Sequence, residues 1–93
     1  MNRVIKSFLE SRGFKNHPDD PDKMIYPFGP KAGLIVFAHD DDAIEFIMNY
    51  LSKGPGDPEL IFSGLSKQDL MRDFDRMFSA SRAIHDLFAA NGW

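Results

Sequence analysis

Ser66-Lys-Gln-Asp-Leu-Met-Arg-Asp-Phe-Asp-Arg-Met-Phe-Ser-Ala-Ser-Arg-Ala-Ile-His-Asp-Leu-Phe-Ala-Ala-Asn91 is the stretch whose pattern fixes both a conformation and the side that faces inward. At 100° per residue, Leu70, Phe74, Met77, Ile84 and Phe88 fall on one line, with Met71 and Phe78 along its edge. Arg72, Asp75, Arg76, Ser79 and Asp86 lie opposite. This is the period of an amphipathic helix with a broad apolar stripe, which must be covered. Ser66 followed by Asp69 is a capping box at its start, and Asn91-Gly92 a C-cap at its end. Such a helix runs roughly 36 Å at 1.5 Å per residue, about the width of a small domain. The remaining chain is expected to wrap it.

That remainder is short. A 93-residue chain is one domain, residues 1–93, and nine Phe among 43% hydrophobic residues give it material for a real core. The absence of Cys excludes disulfides, zinc-thiolate sites and thiol nucleophiles. Met1 to Phe14 holds no apolar run of the length a signal peptide needs, and no segment approaches a membrane span, so a soluble cytoplasmic protein is expected. Net charge is only -3, unevenly spread. Residues 1–15 carry Arg3, Lys6, Arg12 and Lys15 against Glu10, whereas residues 16–59 carry nine acids against Lys23, Lys31 and Lys53. An acidic middle points to a basic partner and away from direct nucleic-acid binding.

Working back from the long helix, Asp57-Pro58 reads as an N-cap with proline at the first helical position, so Glu59 to Ser63 is expected to form one helical turn, ended by Gly64. Ala43 to Ser52 is expected to be a second helix, capped by Asp40, Asp41 and Asp42 and stopped by Lys53-Gly54-Pro55-Gly56. Its apolar residues cover an arc of roughly 200°, which calls for cover from more than one side or an interface on one flank. Leu34 to His39 is a nearly continuous apolar run, expected as a strand covered on both faces. It pairs as a hairpin with Lys23 to Phe28 across Gly29 to Gly33, Pro27 confining the first strand to an edge or an early end. Two strands alone are marginal in water, so the pair must pack on helices, find a third strand or meet another chain. Lys15 to Asp22 is turn chemistry. In a first helix capped by Asn2, Val4, Ile5, Phe8 and Leu9 share a face; Gly13 ends it and Phe14 folds back onto the core. The expected class is α+β: helix, two-stranded antiparallel β-hairpin, helix, short helical turn and long C-terminal amphipathic helix.

The densest chemistry is His39-Asp40-Asp41-Asp42 with Glu45 beyond it. An imidazole with several carboxylates can hold a hard divalent cation or act as a base, giving a metal-dependent nuclease or hydrolase as one reading. Helix capping with solvated charge is the simpler account, and no dedicated metal site or cofactor is assigned. His85 beside Ser81 offers a base near a hydroxyl, but the pair fits a packed histidine and a small residue better. The glycines lack phosphate-cradling spacings, and no GxSxG, HExxH or Walker pattern occurs.

Helix, Gly13-Phe14, hairpin, helix over residues 4–52 is an order that resembles the HicA-type RNase toxins. In that family the catalytic histidine lies in the first strand after Gly-Ser; this chain has Met24-Ile25-Tyr26 there, so the resemblance implies topology and no site residues. The leading reading is a small non-enzymatic protein-protein interaction domain, an inhibitor, immunity, anti-defence or regulatory factor of the sort mobile elements encode. Its expected contacts are Asp40, Asp41, Asp42 and Glu45 for a basic partner, with Phe46 and Tyr50 as aromatic anchors. A structural homodimer, with Leu34 to Ala38 or Phe46 and Tyr50 between copies, is the remaining alternative.

Overall fold

The computed structural model describes residues 1–30, 32–50 and 59–91, and for Tyr50 the main chain alone. In chain order the elements are α1 (Arg3–Ser11), β1 (Lys15–Asn16), β2 (Lys23–Pro27), β3 (Ala32–Asp40), β4 (Ala43–Tyr50), β5 (Glu59–Leu65) and α2 (Lys67–Ala90). Among the described residues the strands form one antiparallel sheet in the order β1-β2-β3-β4-β5, each paired with its neighbour in sequence.

α2 forms as its pattern requires. The Ser66 hydroxyl accepts the Asp69 N–H at 3.1 Å while the Asp69 carboxylate accepts the Ser66 N–H at 3.0 Å, completing the reciprocal cap. Leu70, Phe74, Met77 and Ser81 are its buried residues, and Ile84 and Phe88 further along are partly buried. α1 is capped by Asn2, whose side chain accepts the Val4 N–H at 2.7 Å. At its other end Gly13 N–H bonds to Glu10 O at 3.0 Å and Phe14 N–H to Leu9 O at 3.1 Å, a Schellman arrangement that returns Phe14 to the core.

The expected hairpin-and-helix middle is corrected. Ala43 to Tyr50 is strand β4, because Ile44, Phe46 and Met48 alternate with Glu45, Ile47 and Asn49, and the first three are completely buried. A helix would have spread those six positions around its circumference; a strand sorts them cleanly to two faces, as their isoleucines and aromatics favour. Asp41 and Asp42 are accordingly a hairpin turn rather than helix caps. Glu59 to Ser63 is likewise not a helical turn but most of β5, where Phe62 pairs with Phe46. The helix-hairpin-helix order over residues 4–52 therefore fails, and with it the likeness to the RNase toxins. Lys53-Gly54-Pro55-Gly56 and Asp57-Pro58, read as a helix stop and a helix cap, lie outside the described residues, as does Gly92. The third strand that a lone hairpin lacks is β4.

Both helices lie on the face carrying Met24, Leu34, Val36, Ala38, Ile44 and Phe46, which join Ile5, Leu9, Phe14, Leu70, Phe74 and Met77 in one core. Phe74 is an aromatic hub, edge-on to Phe8 with ring centroids 5.4 Å apart and to Phe14 at 5.9 Å. The molecule is thus a two-layer structure, helices over one side of a sheet.

Candidate functional site

The acidic segment is built by hairpin geometry. Ala38 pairs with Ile44 and Asp40 with Ala43, so β3 has one more residue than β4 over this span, and His39 is the bulged one. The Asp40 carboxylate then accepts the Asp42 N–H at 2.7 Å, a local bond that aspartate offers to turns. Asp40, Asp41 and Asp42 are all exposed. Asp41 also reaches both helices, since its carbonyl accepts the Lys67 N–H at 2.8 Å and its carboxylate accepts from the Asn2 side-chain amide at 3.1 Å. The turn consequently lies where α1 and α2 both begin, and the positive ends of two helices favour carboxylates there. Of the three aspartates Asp41 does meet helix N-termini, though not that of a helix directly following it.

His39 and Glu45 are brought together on the side of the sheet away from the helices. The His39 Nε2 is paired with the Glu45 Oε1, and the His39 ring stacks on Phe37 with centroids 3.8 Å apart. The Lys23 ammonium lies 4.8 Å from the centre of the Phe37 ring and 3.7 Å from the Asp20 carboxylate. His39 and Asp40 thus serve different neighbours, and among the described residues no three His, Cys, Asp or Glu converge as a metal site needs. Acids of the earlier loop are engaged locally: Asp20 accepts the Asp22 N–H at 2.9 Å and Asp22 pairs with the terminal amine of Met1 at 2.5 Å.

Of the expected aromatic anchors, Phe46 is completely buried, edge-on to Phe62 at 5.8 Å, so its ring presents no surface. The Tyr50 side chain lies outside the described residues. The hydroxyl of buried Ser81 donates to the Met77 carbonyl at 2.8 Å, while His85 lies against Phe28 with centroids 5.2 Å apart and meets the Asp86 carboxylate at 3.1 Å. That geometry directs the hydroxyl to the helix backbone rather than to the imidazole.

The residues missed in the sequence lie on the second face of the sheet. Ile25 pairs with Ile35, Ile35 with Ile47 and Ile47 with Leu60, an apolar row crossing β2 to β5. Beside it runs the row Lys23, Phe37, Glu45. None of these six apolar or charged positions on β2 to β4, nor Leu60, belongs to the core under the helices. Leu60 is 55% exposed and Ile25, Phe37 and Ile47 are partly exposed, whereas Ile35 at the centre of the row is buried, with 6% exposed. Leu34 to Ala38 did signal a strand apolar on both sides, and the Glu45, Ile47, Asn49 spacing held the rest of the signal.

Comparison with protein-family models, curated proteins and solved structures finds no match for this chain. Its function must therefore be read from its own residues. No helix among the described residues is long and apolar enough to cross a membrane.

Proposed function

We propose that this protein is a non-enzymatic interaction module of the inhibitor, immunity, anti-defence or regulatory type, acting in the cytoplasm on a partner with a basic surface. The observation that carries the reading is the exposed Asp40-Asp41-Asp42 turn, held by the Asp40 carboxylate's bond to the Asp42 N–H and by the bonds of Asp41 to Lys67 and Asn2, at the meeting point of two helix N-termini. Three carboxylates on a fixed loop form a pre-organised negative patch, which costs little ordering when a cationic surface docks. Glu45, held by His39, adds a charge on the face of the sheet away from the helices.

A double variant, Asp40→Asn with Asp42→Asn, removes two charges while the amide oxygen introduced at position 40 can still accept the turn bond. Affinity purification from the native host, compared quantitatively between wild type and this variant, is expected to return a basic protein that the variant loses. Its affinity should fall by about tenfold or more, with a shallower dependence on salt. Equal recovery and equal affinity with the double variant would remove the site. The metal-dependent hydrolase reading is weakened by the pairing of His39 with Glu45 and of Asp40 with its own turn. Titration calorimetry with Mg2+, Mn2+ and Ca2+ is expected to give no saturable heat; a saturable one would reinstate that reading.

A further inference from the structure

We infer that the helix-free face of the sheet is where two copies of this chain meet, related by a two-fold axis parallel to β3. Strand order sets the geometry. Two strands lie on either side of β3 in the described sheet, so a half-turn about an axis along β3, midway between two facing sheets, lays β2 of one copy over β4 of the other at the same height. The row Lys23, Phe37, Glu45 then matches itself: each Lys23 meets Glu45 of the second copy, and Phe37 meets Phe37. In the neighbouring row Ile25 lies over Ile47 on either side of Ile35, which is only 6% exposed, and at the ends of the row Lys15 lies over Leu60.

This charge pattern is what selects a second copy over an unrelated partner. On the row nearest the axis Lys23 and Glu45 flank Phe37 symmetrically, an arrangement complementary to its own image as an isologous interface requires, and within each copy Lys23 also meets Asp20 and Glu45 also meets His39. Facing sheets pack about 10 Å apart with strands within about 30° of alignment, which keeps rows close to the axis in register. Because the axis runs along the strands, both Asp40-Asp42 turns emerge at the same end of the pair. The dimer does not require those turns to bind anything; Glu45 is common to both readings, so Lys23→Glu and Ile47→Gln, which leave every proposed partner-binding acid in place, test the dimer separately.

Sedimentation equilibrium of the full chain from about 1 µM to about 500 µM spans the affinities expected of a modest homodimer and should show a monomer-dimer equilibrium. Lys23→Glu and Glu45→Lys should each weaken it by about tenfold or more through like-charge contacts. Two restorations are diagnostic of this axis. Both changes on one chain should recover the dimer, and an equimolar mixture of the two single variants should form a heterodimer that neither forms alone. Circular dichroism establishes folding; should a charge variant unfold, Ile47→Gln, a change at a partly exposed position, decides the matter by weakening association. A wild-type chain monomeric throughout, or a dimer indifferent to Lys23→Glu, Glu45→Lys and Ile47→Gln, would overturn the proposal.

Discussion

Gly13 occupies a backbone conformation that side chains resist. Its φ is +93°, and a Cβ placed there would come within 3.0 Å of the Tyr26 ring. It is also the residue that lets Phe14 turn back beneath α1, so the local conformation and the core packing depend on the same position. Gly13→Ala should therefore destabilise the fold by about 1 kcal/mol or more, read as a lower midpoint in urea with little change in slope. Asn2 is similarly double-jointed, since one oxygen caps α1 and the amide nitrogen reaches Asp41. At this scale the sequence is informative: Asn2, Gly13, Phe14, Ser66 and Asp69 each hold the role their chemistry indicates, because caps are decided by a few adjacent atoms.

At the scale of elements, the start of α2 carries two carboxyls whose folded-state acidity ties its stability to pH. The Asp69 carboxyl is held below the ordinary carboxylate range chiefly by the Ser66 backbone N–H, then by the Ser66 side chain, with Arg72 adding to this. Asp73 is lowered as well, chiefly by its hydrogen bond from Arg72, whose guanidinium spans both acids. A carboxyl that is more acidic folded than unfolded stabilises the fold at pH above the unfolded value of about 3.9, and the contribution fades as pH falls through the lower folded value. Melting curves from about pH 6 to about pH 2 should show wild type losing more stability on acidification than Asp69→Asn, the two converging at the acid end. A constant gap would contradict this. Where sequence and structure part over an element, the reason is equally physical. Ala43 to Tyr50 contains residues compatible with either period, and three consecutive aspartates look alike before a helix or inside a hairpin turn. Only the partners β3 and β5 select the extended form, and pairing across strands is information that a local window does not hold. Phe46 reads as a surface anchor for the same reason: a helical wheel places it on a flank, whereas the strand alternation turns it inward.

For the molecule as a whole, the two layers leave an imbalance. α1 and α2 shield one side of the sheet, and α2, with 24 residues, matches the longest dimension of 37 Å, so it spans the molecule without wrapping around to the other side. The rest of the chain does not wrap the long helix as expected: it forms a five-stranded sheet on which α2 lies, with Leu87 in its second half 64% exposed. Strand order carries a kinetic consequence. Since each of the described strands bonds to the strand before or after it in the chain, the sheet can zip up by successive short-range closures, each of low entropic cost. The Asn2, Asp41 and Lys67 junction is different, for it gathers the beginning, middle and last third of the polypeptide at a single point. Acquisition of the native state should thus be rapid until that knot is tied, and the knot is where the search through conformations becomes long-range.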